Sequence, residues 1–476
     1  MTRTSLPAML AAGVVDSRPR IVIVGGGFAG LYAAKGLKQS AAQVTVVDRR
    51  NHHLFQPMLY QVATAALNPS DISNPIRSIL RSQRNTEVLL GDVVSVDRGA
   101  REVLLSDGVS LPYDYLIVAT GARHSYFGRD EWEPTAPGLK SLDDAVTIRN
   151  RVLLAFEEAE RETLPERRQA FLTFVVVGGG PTGVELAGAL AEIRNFALQR
   201  DFRQINPRDA TVMLIEAGPR ILSTYPPSLS ERAVTELRRL GVEVRVNTMV
   251  TEVREWSVQA GEWSIPTHTV LWAAGNVASP LLKTLGTPLD RQGRAIVGPD
   301  CTIPGHPEIF VLGDAAHFAR GDGTLPGVCP VAIQMGQYAA RVINAEVAHR
   351  AARPPVDGTR VEPPPRPPFN YWDKGQLAVI GRGHAVADLG RLRFGGLFAW
   401  LAWIFVHIFF LIGFRNRVLV LIQWAYSYVT YRRGARIITG ELGPASPTKP
   451  VSQFPTRPPT DQRVAPTPGA ARTVPR

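Results

Sequence analysis

An apolar strand, a glycine-rich turn, a helix and a second strand closed by an acid occur twice in this 476-residue chain, with the turns beginning at Gly25 and Gly178. That grammar predicts a doubly wound α/β fold with two Rossmann-type dinucleotide-binding domains, about one domain length apart. A long uncharged run near the C terminus adds C-terminal membrane-binding helices to the expected fold class.

The first copy reads Ile21–Val24, then Gly25-Gly26-Gly27-Phe28-Ala29-Gly30, a helix over 31–37, and a strand over 44–48 ending in Asp48. The second reads Phe174–Val177, Gly178-Gly179-Gly180-Pro181-Thr182-Gly183, a helix over about 184–199, and a strand over 210–216 ending in Glu216. In each, the first glycine (Gly25, Gly178) makes the tight turn. The second (Gly27, Gly180) lets a pyrophosphate approach the backbone, and the third (Gly30, Gly183) lets helix and strand pack closely. Free N–H groups at the helix start then hold the phosphates, while Asp48 and Glu216 are placed for ribose hydroxyls. Glu216 would repel a 2′-phosphate, so the second site is expected to prefer NADH to NADPH. Two dinucleotides in one chain suggest a hydride carrier beside a flavin that stores the hydride.

Composition narrows the class. The net charge of +11 is concentrated at one end: residues 361–476 hold 15 Lys and Arg against 5 Asp and Glu. Such a local field suggests an anionic surface, membrane or nucleic acid. Cys301 and Cys329 lie far apart, which excludes a disulfide scaffold, a cysteine zinc site and a local redox dithiol. His52 and His53 have no carboxylate or cysteine at ligand spacing, so no metal is expected. Residues 1–19 only faintly imitate an export signal. The proline-rich stretch 353–368 reads as a linker and 441–476 as a disordered tail.

These motifs resemble the two-dinucleotide-binding flavoproteins. The resemblance implies FAD on the first motif, with Thr120 and Gly121 closing that segment and Asp314 bonding the ribityl or phosphate region. It implies NADH on the second, with Gly275 at the end of an inserted domain. The implied domains are 19–135 and 291–352 for FAD, 136–290 for NADH, and 369–440 for membrane association. The chain is more closely similar to the type II NADH dehydrogenases, which pass electrons from NADH through FAD to a membrane quinone without pumping protons. That resemblance lies in Asn51–Ala63, in Gly180–Leu186, in Pro326–Tyr338, and in Asp373-Lys374-Gly375 through Arg382. It implies Glu185 near the flavin, orienting nicotinamide or handling protons. It also implies Gln334 where quinone enters, Ala332 and Ile333 approaching the flavin by backbone, and Lys374 stabilising reduced flavin. One departure stands out: where many relatives carry a second glutamine, this chain has Pro330.

Residues 394–414 form an uncharged run of spanning length between Arg391, Arg393, Arg415 and Arg417, and a shorter run covers 418–431. Two interfacial helices over 391–436 with snorkelling arginines are favoured, with one span at 394–414 as the alternative. The expected protein is a monotopic NADH:quinone oxidoreductase on the cytoplasmic face of the cell membrane, a homodimer that binds no nucleic acid. Two other readings stay open: an NADH-dependent reductase of a small electron-carrier protein, and a redox sensor or nucleic-acid binder using the basic C terminus.

Overall fold

The computed structural model describes residues 17–321, 323–353, 362–430 and 434–439. The expected tail over 441–476 lies outside the described residues, as does 354–361 of the expected linker.

Strands β1 (Arg20–Val24), β2 (Gln43–Asp48), β3 (Thr86–Leu90) and β4 (Tyr115–Val118) form one parallel layer in the order β4-β1-β2-β3, with helix α1 (Phe28–Gly36) between β1 and β2. β1 and β4 are almost wholly apolar and buried, as central strands of a parallel sheet must be. The five-residue helix α2 (Leu59–Ala63) lies in the connection from β2 to β3, and after β4 the chain leaves this sheet through the long helix α3 (Leu142–Arg161). It then builds a second parallel sheet from β5 (Thr173–Val177), β6 (Thr211–Ile215), β7 (Val242–Arg245) and β8 (Thr269–Trp272), in the order β7-β6-β5-β8. Helix α4 (Pro181–Glu192) follows β5, and α5 (Pro227–Arg239) follows β6. The helix expected to reach residue 199 changes to a π-type turn over Ile193–Ala197.

Ala122–His124 and Asn276–Ala278, the outgoing and returning connections, pair antiparallel. The chain then re-enters the first layer through β9 (Thr302–Ile303) and β10 (His306–Val311), and β10 lies parallel to β4. Helix α6 (Cys329–Ala352) packs on α1, where Gly336 leaves no room for a Cβ against the Ala29 carbonyl.

The C-terminal part is a three-stranded antiparallel sheet, β11 (Gln376–Gly381), β12 (His384–Asp388) and β13 (Arg393–Gly396), followed by helices α7 (Leu397–Phe410) and α8 (Phe414–Thr430). It seats on the second sheet's helices. A Cβ on Gly188 of α4 would overlap the carbonyl oxygen of Ile380 in β11, so only glycine permits this approach. The uncharged run 394–414, for which one span was the alternative, is broken: β13 takes its start, and Leu411 and Gly413 (φ +90°) end α7. Among the described residues no helix is long and apolar enough to cross a membrane.

The proline-rich stretch is tied down at its end. Arg366 donates from Nε to Glu346 Oε1 at 2.6 Å and from Nη1 to Asp300 Oδ2 at 2.9 Å, while Tyr115 Oη donates to Glu346 Oε2 at 2.8 Å. Glu346 is buried on α6, so removing its cation leaves an uncompensated interior charge. Arg366→Ala should therefore destabilise the protein by about 3 kcal/mol, read as a lower urea midpoint. Glu346→Gln in the same chain should recover part of the loss.

Candidate active site

Both glycine turns share one geometry. Gly25 has φ +103° and Gly178 φ +108°, and a Cβ on either would crowd the peptide after β4 or β8. A Cβ on Gly30 would overlap the Gly25 carbonyl, and one on Gly183 the Gly178 carbonyl. Gly27 and Gly180, the N-caps of α1 and α4, face open space with nothing within 4 Å of a built Cβ. Outer glycines are thus required by the chain's own packing, and the middle one leaves the cleft. Neither helix has a side-chain cap or an acid in its first turn, so their N–H groups and positive dipole ends remain available to an anion.

The acids answer each loop in the same way. Asp48 Oδ2 accepts from Gly26 N at 2.6 Å and Oδ1 from Arg50 N at 2.7 Å; Glu216 Oε2 accepts from Gly179 N at 2.6 Å and Oε1 from Gly218 N at 2.7 Å. Each carboxylate is locked in place, and each oxygen keeps a lone pair for a ribose hydroxyl.

Unsatisfied polar atoms cluster at the first loop. Thr120 Oγ1 and His53 Nε2 are buried and lack hydrogen-bond partners among the described residues. His53 Nδ1 lies 3.0 Å from the Gly26 carbonyl, so it carries the proton and Nε2 is a bare acceptor. Burial pushes this imidazole down to about 4, which keeps it neutral. These orphaned atoms and the open cleft at Gly27 fit a bound dinucleotide. Gly121 (φ +67°) and Gly275 (φ +74°) turn the chain beside the first and second cleft.

Asp314 lies just after β10 and close to Gly327, which leads into α6. Sequence reasoning missed Lys140. Burial lowers its ammonium pKa, while the charge of Asp314 opposes the shift, which places the lysine near Asp314 and the approach to α6. Its only sequence signal was rarity, as one of six lysines. Cys329 is pushed up to about 12 by burial, so it is a thiol and a poor nucleophile at neutral pH. Ala332 and Ile333, one turn into α6, are buried, and Ala332 packs on Gly313.

Gln334 and Lys374 are brought together, through a residue that sequence reasoning did not single out. Gln334 Nε2 donates to the Trp372 carbonyl and Trp372 N donates to Gln334 Oε1, both at 2.9 Å. Lys374 Nζ stands 5.1 Å from the Trp372 ring centre and 5.6 Å from that of Phe410. Glu185 is elsewhere. It lies in the second turn of α4, bonded by the Val379 N–H of β11, in a cavity of about 100 Å³ shared with Tyr60, Gln61, Trp403 and Trp424. Lys374 precedes β11, whereas Val379 is the fourth residue within it. Burial raises the Glu185 carboxyl to about 8, against the weaker opposing pull of the Val379 N–H.

The family described as pyridine nucleotide-disulphide oxidoreductase matches residues 19–336, and the NDH2 C-terminal domain matches residues 373–433. A Mycobacterium tuberculosis protein named Type II NADH:quinone oxidoreductase NdhA is 44% identical over 441 residues, covering 90% of this chain and 91% of that protein. This chain belongs to the type II NADH:quinone oxidoreductase family. A second M. tuberculosis relative, Type II NADH:quinone oxidoreductase Ndh, is 43% identical over 89% of this chain and 91% of its own length. The fold matches that of the Plasmodium falciparum NDH2 in complex with NADH, with a TM-score of 0.77, 20% identity, and coverage of 86% of this chain and 98% of that one. Sulfide:quinone oxidoreductase from Aquifex aeolicus shares the fold more distantly, with a TM-score of 0.66 at 17% identity.

Two outcomes are expected. NADPH should show a kcat/KM at least about tenfold below that of NADH, because Glu216, expected at the ribose, would repel a 2′-phosphate; equal values would remove that role. Between pH 4.5 and 8 the native state holds a proton on Glu185 that the unfolded chain has lost, so this group's contribution to stability declines as pH rises through that window. Glu185→Gln should flatten that decline in urea melts taken from pH 5 to 8.5.

Proposed function

We propose that this flavoprotein docks on the membrane surface, takes hydride from NADH and delivers two electrons to a membrane quinone without pumping protons. FAD and NADH are its cofactors. The observation that carries the reading is the pairing of two equivalent dinucleotide clefts with a C-terminal helix that turns an apolar stripe outward.

On α7, Leu397, Leu401, Phe405 and Phe409 recur every fourth residue and are all exposed, whereas Ala399 and Trp403 on the other side are buried. Leu392 before it and Leu421 and Ile422 of α8 extend the exposed apolar surface. Arginines at 391, 393, 415 and 417 flank it. A surface of this kind suits the lipid interface, with basic side chains reaching headgroups. It does not suit a phosphate backbone, for which charge must be interleaved with the contact surface. We place the protein monotopically on the cytoplasmic face, where NADH is supplied, as a homodimer.

FAD, bound at the first cleft, supplies two-electron chemistry. The chain's residues bind, orient and supply charge. Gly25, Gly27, Gly30, Asp48, Thr120, Gly121 and Asp314 are the proposed FAD-holding set, with Ala332 and Ile333 approaching the ring by backbone. Gly178, Gly180, Gly183, Glu216 and Gly275 are the proposed NADH-holding set. Glu185, protonated at neutral pH, is the proposed proton donor on the NADH-domain side. Gln334 and Lys374 form the proposed quinone end, where an ammonium can stabilise negative charge developing on a quinone oxygen.

The direct test is anaerobic. Protein purified in mild detergent should lose its flavin absorption on adding NADH, and a short-chain ubiquinone should restore it catalytically. If NADH bleaches and quinone does not restore, the acceptor is a carrier protein. Replacing both Phe405 and Phe409 by Asp should abolish sedimentation with anionic vesicles while detergent-solubilised turnover of water-soluble quinone persists.

A further inference from the structure

We infer that Gln334 acts through the strap Trp372–Lys374 rather than by touching quinone: it is a positioning residue that sets Lys374 at the mouth of the quinone path. The inference rests on the quinone-reductase reading above and concerns how the acceptor end is built.

The strap is anchored on both sides, and between them Asp373 meets Arg320 at 4.0 Å while the Trp372 backbone is held by Gln334. Before it, Phe369 and Tyr371 are buried; Phe369 N donates to the Pro299 carbonyl at 2.7 Å, and its ring meets those of Phe318 and Tyr338. After it, Gly375 has φ +84° and sits so tightly against the Asp388 carbonyl that a Cβ would overlap it. Between these anchors Trp372 is 72% exposed, so burial does not hold it. Among the described residues, the hydrogen bonds joining the Trp372 backbone to the body of the protein are the two from Gln334. A carboxamide used in this way offers both a donor and an acceptor to one peptide, as a neighbouring strand would. To turn toward a substrate it would have to break both bonds.

What the clamp fixes is a charge. With Trp372 held, the Lys374 ammonium is placed near the faces of two rings, one on the strap and one at the end of α7. Phe409, the next residue on α7, is part of the outward stripe. Lys374 therefore stands at the seam between α6, which carries Gln334, and the helix proposed to face lipid. A quinone arriving from the leaflet through that seam would meet the ammonium as its carbonyl oxygens gain negative charge.

A double-mutant cycle tests this, using Gln334→Met, Lys374→Met and the double variant with a short-chain ubiquinone at saturating NADH. Wild-type turnover comes first, since its failure would remove the functional reading rather than this one. Each single change should raise the quinone KM about tenfold, the size of one or two net hydrogen bonds. The double variant should be no worse than Lys374→Met alone. In hydrogen exchange, the Trp372 amide should be protected in the wild type and in Gln334→Glu, which still accepts that N–H, and fast in Gln334→Met. Losses that multiply, a Lys374→Met protein with the wild-type quinone KM, or a Trp372 amide equally protected in Gln334→Met would overturn the inference.

Discussion

The contact on which the acceptor half of this protein depends is the seating of β11 on α4 at Gly188. The Ile380 carbonyl occupies the space that any larger residue would need for its Cβ. This contact makes one wall of the Glu185 cavity, because Val379 and Ile380 are the strand residues that close over the helix. It also sets where β11 begins, and so where the strap bearing Trp372 and Lys374 runs. Helix α7 follows from the same sheet. A methyl group at one position would thus disturb a proton-holding carboxyl, a cation and helix α7 together.

The local parts of the site were legible in the sequence because their physics is local. A turn at φ above +100°, a helix start without a cap, and a Cβ-free contact between a third glycine and the turn before it are all encoded within six residues. The acid closing the next strand is read equally well, since a parallel pairing brings Val47 level with Val24 and leaves Asp48 beside the turn.

What was not legible depends on distant segments. Glu185 looks like an ordinary helical acid until a strand almost 200 positions later covers it and holds it protonated. Gln334 looks like a helix-surface amide until Trp372 presents its backbone. Lys140 lies on a connection with no motif, and its place near Asp314 comes from the chain's return to the first sheet. Residues 353–368 read as a linker because prolines exclude helix and ladder, a rule that cannot foresee that Arg366 finds two carboxylates. The uncharged run at 394–414 satisfied the length rule for a span, yet the positive-φ conformations of Gly396 and Gly413 bracket α7 at 14 residues.

The C-terminal helices α7 and α8 are not an appendage, because they share a core with the second sheet and its helices. Trp403 stacks on His407 at 4.0 Å and lies 5.5 Å from Trp424, whose Nε1 donates to Gln61 Oε1 at 2.8 Å. His407 meets Phe55, Phe55 meets Phe28, and Phe28 meets His53, whose Nδ1 holds the Gly26 carbonyl of the first glycine turn. Burial holds His407 at about 4, so this aromatic column is uncharged from end to end at neutral pH. Close-packed rings transmit a displacement because they have no slack to absorb it. The first glycine turn and the helix proposed to meet lipid are therefore two ends of one packed body, so the proposed phosphate site and the proposed lipid face are mechanically joined.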